Sequence, residues 1–231
     1  MKAIILAAGL GSRLGDLTKY KPKSLIKIGS KTLLERLTKQ LEDLGVNKIQ
    51  IICGHKKKEI DKYFPKYQRF YYPRYKTTNN LHTLYYFRRL LNDDCIISFA
   101  DVIFHKEIIN GIIKSKKKIT LGVDTKNCRK NKKKVDIERD QIKYVGNNPK
   151  IKSGNFIGIL KVNKSSNNIL KSSMKKLVNK SNNFYFTEAL NIIIGKNIRV
   201  NYFDVNRKFW IEIDNKDDLK NARKKIYEIE K

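Results

Sequence analysis

Cysteine, proline and tryptophan are scarce in this sequence of 231 residues, which contains three, four and one of them. The cysteines lie far apart, without a C-x-x-C pair or a zinc-type Cys/His spacing, so neither a disulfide framework nor a structural zinc site is indicated. No apolar run reaches the roughly 18 residues of a membrane-spanning helix. Repeats and Pro/Gly/Ser-rich linkers are also lacking. We therefore expect a single domain over residues 1–231 in a reducing, cytoplasmic environment.

Acidic residues are few as well: 22 Asp and Glu stand against 51 Lys and Arg, which gives a formal net charge of +29. A solvated surface, a nucleic-acid-binding module without turnover and weak peripheral attraction to an anionic membrane all remain open. No nucleic-acid partner is expected, because the basic runs are scattered and lack interleaved aromatic residues. These runs are residues 56–58, 116–118, 129–134 and 223–225.

The apolar pattern alternates between strand and helix in the first half of the chain. Buried strands are predicted at residues 2–6, 48–53, 68–72 and 95–100, and the first of these is interpreted as a strand rather than a signal peptide. A helix begins at the capping box Thr32-x-x-Glu35 and ends at Gly45. This order predicts a parallel sheet flanked by helices over about 1–105, followed by a smaller α+β lobe over about 106–231.

A glycine-rich loop, L-A-A-G-L-G-S-R-L (residues 6–14), follows the first strand. It is not a dinucleotide fingerprint, because Leu14 replaces the third glycine and the second strand ends without an acid. No Walker loop can be placed. Backbone N–H groups freed by glycine, together with Arg13 and the Pro22-Lys23 pair, suit a triphosphate. A tight turn with solvated cations is the alternative.

Carboxylates end two other predicted strands. Asp101 and Asp214 each follow an apolar run, and Glu212 would point to the same side of its strand as Asp214. Carboxylate oxygens are the hard ligands that Mg²⁺ prefers, although a single strand-terminal Asp is more often a turn or cap residue. The three histidines show no spacing that suggests a proton relay, and Cys53 and Cys95 are interpreted as buried small apolar residues.

Residues 6–14 together with Thr18 and Pro22-Lys23 match the pattern L-A-A-G-x-G-[ST]-R-L…T…P-K without a gap. This pattern resembles the signature of the nucleotidyltransferases that join a nucleoside triphosphate to a sugar phosphate or alcohol phosphate. The segment T-N-N-L-H-T-L-Y (78–85) looks like the N-N-x-x-[ST]-L-Y element of the phosphocholine cytidylyltransferase branch. Further similarity lies at residues 100–101, 153–158, 185–190 and 210–219.

The resemblance implies a Rossmann-like, glycosyltransferase-A-like fold with a mixed, mostly parallel sheet. It also implies in-line attack of an acceptor phosphate on the α-phosphorus of the triphosphate, with pyrophosphate as the leaving group and Mg²⁺ as cofactor. The implied catalytic residues are Arg13, Lys23, Asp101 and Asp214, and the implied metal ligands are Asp101, Glu212 and Asp214. The implied nucleotide contacts are Leu6, Ala7, Ala8, Gly9, Gly11, Ser12, Arg13, Lys23, Asn79, Asn80, Thr83 and Ala100. The implied acceptor contacts are Gly154, Asn155, Tyr185, Glu188 and Trp210.

The sequence departs from this branch where phosphocholine enzymes place part of an aromatic cage. Residues 127–134 read N-C-R-K-N-K-K-K, which would repel choline and favours an acceptor with an extra anionic or hydroxyl-rich group. Amino-alcohol phosphates, phosphonates, amide phosphates and polyol or sugar phosphates all remain open as acceptors. CTP is favoured as the nucleotide, and a hexose-1-phosphate nucleotidyltransferase using another triphosphate is the alternative. A monomer or a homodimer is expected.

Overall fold

Thirteen strands and seven α-helices make up the part of the chain that the structure describes, residues 1–127 and 132–226 of a computed structural model. The strands are β1 Lys2–Ala7, β2 Lys27–Ile28, β3 Lys31–Thr32, β4 Lys48–Cys53, β5 Gln68–Tyr71, β6 Cys95–Phe99, β7 Val102–Phe104, β8 Ile119–Asp124, β9 Lys134–Glu138, β10 Gln141–Gly146, β11 Gly154–Val162, β12 Asn201–Asp204 and β13 Trp210–Glu212. The helices are α1 Leu33–Asp43, α2 Lys57–Tyr63, α3 Asn80–Tyr86, α4 Lys106–Lys114, α5 Asn167–Val178, α6 Phe186–Gly195 and α7 Lys216–Lys224.

A mixed sheet of nine strands forms the centre of the described structure, in the order β10-β9-β11-β6-β1-β4-β5, with β8 beside β11 and β12 beside β8. Strand β1 pairs in parallel with β4 and β6, and β4 pairs in parallel with β5. Strand β11 runs antiparallel to β6, β8 and β9. The first half therefore has the predicted parallel arrangement, and antiparallel pairing begins where the second half joins.

Strand β1 is central because it is buried on both faces. Ile4 and Leu6 pack into one apolar cluster, and Ala3, Ile5 and Ala7 pack into the cluster on the other side of the sheet. A parallel strand between two helix layers has this continuous apolar character. The prediction of a buried first strand is confirmed.

Capping boxes begin the two helices that lie nearest the ends of the chain. Thr32 Oγ1 accepts a hydrogen bond from the Glu35 amide at 3.1 Å, and Glu35 Oε2 accepts one from the Thr32 amide at 2.6 Å, as predicted for α1. In α7, Asn215 and Asp218 make the equivalent reciprocal pair. Each box satisfies amides that a helix start leaves without partners.

Some predicted elements have different boundaries. The apolar spacing after Asn80 predicts a helix that also carries Arg88 and Leu91, but α3 ends at Tyr86, because the backbone leaves the helical region at Phe87 and a 3₁₀ turn follows. The apolar pattern also predicts a strand over residues 198–203, but β12 starts at Asn201, since the Ile198 amide still caps α6 by donating to the Ile193 carbonyl at 3.3 Å.

The strand predicted before Asp214 is β13, but its pairing with β7 has no local signal. The ribbon β2–β3 and strand β7 were not predicted, because strands of two or three residues have no measurable period. Ile229, predicted to lie on the last helix, is outside the described residues. Cys53 and Cys95 are fully buried, as predicted. No helix in the described residues has the length and apolar character needed to cross a membrane.

Candidate active site

A cleft of about 800 Å³ opens at the carboxyl ends of β1 and β6. Open α/β sheets place ligands at this edge, where loops leave neighbouring parallel strands. The cleft is lined by most of the residues predicted to form the site. These are Leu6, Ala8, Gly9, Gly11, Ser12, Arg13, Lys23, Asn79, Asn80, Thr83, Asp101, Tyr185, Glu212 and Asp214.

The glycine loop forms one wall of the cleft. Gly11 has φ +67°, and a Cβ at this position would lie 3.0 Å from Lys23 Cβ and 3.0 Å from Thr18 Cγ2. Only glycine combines this left-handed backbone with such a close approach. Thr18 Oγ1 donates hydrogen bonds to the carbonyls of Gly11 and Gly15, each at 3.1 Å, and so fixes the turn.

Leu14, which replaces the third glycine of a dinucleotide fingerprint, anchors the loop. Its side chain is fully buried in a small apolar cluster that also contains Ile26, Ile103 and Ile213. The segment after Gly11 is a 3₁₀ turn, Ser12–Thr18, rather than the start of a long helix. The departure from the dinucleotide pattern thus has a packing role.

Lys23 reaches from this wall to the carboxylates. Pro22 precedes it in an extended conformation, and Lys23 begins a short 3₁₀ turn. Its Nζ lies 2.8 Å from Asp101 Oδ2 and 3.1 Å from Asp214 Oδ1. Burial lowers the pKa of Lys23, but the charges of Asp101 and Asp214 raise it more, so this lysine stays protonated.

The ribbon β7–β13 brings together the carboxylates predicted from distant parts of the sequence. Glu212 pairs with Val102, the residue after Asp101, and the Ile213 amide donates to the Asp101 carbonyl at 2.9 Å. Asp218, in the first turn of α7, accepts a hydrogen bond from the Asp214 amide at 2.9 Å. Carboxylate oxygens of Asp101, Glu212 and Asp214 thereby lie within 4.8 Å of one another.

Three cations balance these three carboxylates. Besides Lys23, Arg13 Nη2 lies 2.9 Å from Asp214 Oδ1, and Lys132 Nζ lies 2.7 Å from Glu212 Oε2 and 2.6 Å from Asp214 Oδ2. The Arg13 side chain is 66% exposed, whereas that of Lys132 is only 7% exposed. Arg13 can therefore turn toward a ligand in the cleft at little cost, while Lys132 is held in place.

The carboxyl groups differ in acidity. Burial, together with the charge of Asp101, raises the pKa of Glu212 to about 7. Burial also raises the pKa of Asp214, but Lys23, Lys132 and Arg13 lower it more, so its net direction is downward. Asp214 is therefore ionised at neutral pH, and Glu212 is close to its midpoint.

The carboxylate cluster fits a hard divalent cation. The buried Oδ1 of Asp101 has no hydrogen-bond partner among the described residues, although a buried carboxylate oxygen ordinarily has one. All three side chains offer oxygen ligands of the kind that Mg²⁺ prefers. The residues present can hold this ion.

Asn79 and Asn80 face the cleft and also join two elements. The Asn79 amide donates to the Asn182 carbonyl at 3.0 Å, and its Nδ2 donates to the Asn183 carbonyl at 2.8 Å. Asn80 Oδ1 accepts a hydrogen bond from the Phe186 amide at 2.9 Å. The start of α3 thus holds the segment before α6, which carries Tyr185.

Two residues predicted to contact the acceptor are core residues instead. Trp210 is 2% exposed, and its Nε1 donates to Asp124 Oδ2 at 2.7 Å. Asn155 is fully buried, and its Oδ1 accepts from Lys134 Nζ at 2.7 Å. Both side chains satisfy buried polar groups and do not line the cleft, which corrects their predicted role.

Four more predicted contacts lie behind or beside the cleft lining. Gly154 packs against the Asp124 carbonyl, where a Cβ would come within 2.5 Å. Ala7 and Ala100 are buried in the core beneath the glycine loop. Glu188 is half-buried, and its charge acts on the cleft residue Lys133.

Several cleft residues were not predicted. Tyr75, Asn147, Asn183 and the pair Lys132-Lys133 line the cleft. The two lysines belong to the basic run 129–134, of which residues 129–131 are outside the described residues. That run indicates a basic acceptor region, but no sequence signal indicates that Lys132 pairs with Glu212 and Asp214.

Comparison with known proteins agrees with this geometry. Residues 3–120 match the family model of the MobA-like NTP transferase domain. The chain is 31% identical over 138 residues to a CTP:phosphoglutamine cytidylyltransferase of Campylobacter jejuni, covering 56% of this chain and 54% of that protein. It is 35% identical over 117 residues to a choline-phosphate cytidylyltransferase of Streptococcus pneumoniae, covering 50% and 51%. The chain thus spans about half the length of these curated relatives.

The fold is also similar to that of a solved structure. The CTP:phosphocholine cytidylyltransferase of Streptococcus pneumoniae superposes with a TM-score of 0.81 at 24% identity, covering 97% of this chain and 98% of that one. This likeness confirms the predicted Rossmann-like fold with its mixed sheet. The family match, which covers the glycine loop, Lys23 and Asp101, shows that the chain belongs to the MobA-like NTP transferase family.

Proposed function

We propose that this protein transfers a cytidylyl group from CTP to a phosphorylated small-molecule acceptor and releases pyrophosphate, with Mg²⁺ as cofactor. The observation that carries the proposal is that one cleft holds a glycine loop, the cations Arg13 and Lys23, and three carboxylates within 4.8 Å of one another. The two similar curated proteins are both cytidylyltransferases by name, which supports CTP as the nucleotide.

The chemistry requires little acid–base catalysis. An acceptor phosphate oxygen attacks the α-phosphorus, the bond from that phosphorus to the bridging oxygen of the β-phosphate breaks, and pyrophosphate leaves. Nucleophile and leaving group are already anionic, so the protein has to align them and neutralise their charge. This agrees with the cleft, whose lining contains cations and carboxylates and, among the described residues, no histidine or cysteine.

Named residues would divide this work. The amides of the glycine loop would hold the triphosphate, and Arg13 and Lys23 would neutralise charge that grows on the departing pyrophosphate. Asp101, Asp214 and Glu212 would hold Mg²⁺, which supplies positive charge to the triphosphate when bound. Asn79, Asn80 and Thr83, which line the same cleft, would contact the nucleoside.

Thermal unfolding with Mg²⁺ and each of CTP, UTP, GTP, ATP and dTTP tests the proposal. A ligand at about 100 times its dissociation constant stabilises a protein by roughly 2.7 kcal/mol, or about 5–10 °C here. We expect the largest Mg²⁺-dependent shift with CTP and its loss in Asp101→Asn. A larger shift with UTP or dTTP would instead support a hexose-phosphate nucleotidyltransferase. No shift with any triphosphate would refute the nucleotide site.

A further inference from the structure

An ammonium group of the protein itself covers the aromatic ring that faces the acceptor side of the cleft. Lys133 Nζ lies 3.8 Å from the centroid of the Tyr185 ring, well within cation–π distance. Tyr185 is 37% exposed, and both residues line the cleft. The ring face that could receive a quaternary ammonium is therefore already covered by a cation.

The backbone holds Lys133 in this position. Its carbonyl accepts a hydrogen bond from the Phe156 amide in β11 at 2.9 Å. Tyr185 is held in turn, because it precedes α6 and its carbonyl accepts from the Glu188 amide at 3.1 Å. The contact between ammonium and ring thus joins two anchored segments.

The Lys133 ammonium also has N–H groups that can donate hydrogen bonds to a ligand. Among the described residues, no atom accepts a hydrogen bond from its Nζ at the ring. Burial lowers the pKa of Lys133, and the nearby charge of Glu188 opposes this change. An ammonium carries three N–H donors, so an anion entering the cleft would find them available.

Lys133 directly follows a lysine that is paired with the carboxylate cluster. Lys132, whose Cα is about 3.8 Å from that of Lys133, bonds to Glu212 and Asp214 in the carboxylate cluster. Because Lys133 lines the same cleft as the cluster, an acceptor with its phosphate near the cluster could extend a second group toward Lys133. Lys133 therefore fits an anionic group at the end of the acceptor remote from its phosphate.

We propose that Lys133 selects acceptors that carry a carboxylate as well as the phosphate, and that it excludes acceptors carrying a quaternary ammonium. The inference rests on the proposed function and deepens it by naming the acceptor class. Lys133 donates hydrogen bonds to the carboxylate, and the Tyr185 ring stabilises the ammonium from its other side. A trimethylammonium group meets like charge at this ring.

Three commercially available acceptors separate these effects. O-phosphoserine differs from phosphoethanolamine only by a carboxylate, and phosphocholine differs from phosphoethanolamine only by three methyl groups. With CTP and Mg²⁺, we expect kcat/KM for pyrophosphate release to be highest with O-phosphoserine and lowest with phosphocholine. Hydrogen bonds to charged groups correspond to an expected preference of about 10- to 100-fold for the carboxylate.

Variants of Lys133 test whether this residue causes the preference for a carboxylate. Lys133→Met keeps the length of the side chain and removes its charge, so it should bring kcat/KM for O-phosphoserine down to that for phosphoethanolamine. Lys133→Arg should retain the advantage. Lys126→Met, which removes an exposed lysine outside the cleft, is the matched control and should change neither value.

The outcomes are distinct from failure of the proposed function. If CTP and Mg²⁺ stabilise wild type and Lys133→Met equally, the nucleotide site is intact in both. Equal use of O-phosphoserine and phosphoethanolamine by wild type, an unchanged ratio in Lys133→Met, or preferred use of phosphocholine would then overturn the acceptor proposal. If CTP stabilises neither protein, the nucleotidyltransferase proposal itself is wrong.

Discussion

The two walls of the cleft are built from different parts of the polypeptide. The wall contributed by the N-terminal half presents the backbone and short side chains of Gly9, Gly11 and Ser12 in the loop after β1, together with the charged side chains of Arg13 and Lys23. The wall contributed by the C-terminal half presents long charged side chains, among them Lys132, Lys133 and Glu212. Backbone amides recognise the phosphate groups that all nucleotides share, whereas charged side chains distinguish one acceptor from another.

The two walls are also held in place by different forces. Steric contacts fix the glycine wall, because Gly11 has a left-handed backbone and a Cβ at this position would lie 3.0 Å from two neighbouring atoms. Electrostatics fix the charged wall, because its Lys132 pairs with Glu212 and Asp214, and Arg13 and Lys23 reach across from the glycine wall to Asp214. The charged wall should therefore respond to pH and to divalent cations, and the glycine wall should not.

The largest effect is expected where the two walls meet, at Asp101. Asp101→Asn removes a charge from the carboxylate cluster that, in the proposed reaction, would hold Mg²⁺, a loss of several kcal/mol. We expect pyrophosphate release to fall by about a thousandfold or more. Steady-state rates measure this, and Glu107→Gln, at an exposed carboxylate outside the cleft, should keep wild-type activity. A fall of less than about tenfold would remove Asp101 from the metal site.

A substitution in the glycine wall tests its steric origin. Gly11→Ala forces a side chain into a left-handed conformation with 3.0 Å contacts, so the free energy of unfolding should fall by about 2–3 kcal/mol. Urea denaturation gives this value. Gly195→Ala is the control, because a Cβ there meets nothing within 4 Å and the residue ends α6 without a left-handed φ. Equal stability of the two variants would contradict a sterically fixed loop.

The charged wall should show the pH dependence. Burial raises the pKa of Glu212 to about 7, so ionisation of this carboxyl opposes folding. This loss of folding stability is absent below about pH 4.5, the pKa of the carboxyl in the unfolded chain, and it grows as the pH rises toward 7. In EDTA, the free energy of unfolding of Glu212→Gln relative to wild type should therefore rise by about 1–2 kcal/mol from pH 5 to pH 8.

Denaturant titrations at several pH values measure that difference. Glu107→Gln is the control, because Lys208 lowers the pKa of Glu107, so this carboxyl is ionised in the folded and the unfolded protein from pH 5 to pH 8 and its removal should change stability by a constant amount. A stability difference between Glu212→Gln and wild type that stays constant from pH 5 to pH 8 would show that Glu212 titrates normally.

The smallest effect concerns a thiol in the strand beside the glycine wall. Burial raises the pKa of Cys53 to about 12, and burial also raises the pKa of the Cys95 thiol. In a Cys128→Ser variant, a thiol reagent at pH 8 should therefore leave both cysteines unmodified until denaturant is added. Rapid modification of the native protein would show that the sheet opens at this edge.

Local sequence patterns allowed much of the glycine wall to be predicted. The capping box at Thr32 and Glu35 and the buried strand β1 depend on residues close in sequence. The glycine loop was predicted for the same reason. Asp101 and Asp214 were predicted as carboxylates that each end an apolar run, and the family resemblance made them a pair. The structure brings them together through the antiparallel ribbon β7–β13.

The charged wall could not be predicted from local sequence patterns. Lys132 lies 82 residues from Asp214, and their contact depends on how β7, β13 and β9 are arranged rather than on a local pattern. Trp210 was assigned to the acceptor because aromatic residues often bind cations, but its indole N–H satisfies the buried Asp124 instead. A polar group on a large aromatic side chain does not reveal from sequence whether its partner is a ligand or the core.

Strand β11 has a mechanical consequence for this cleft. All nine of its residues are buried, and it is hydrogen-bonded to β6 from the first half of the chain and to β8 and β9 from the second. Spreading the halves apart would break these bonds in a place where water cannot replace them. The width of the cleft floor is therefore set when the protein folds, and any closure over a substrate must come from the segments above it, such as those that carry Tyr75, Lys133 and Tyr185.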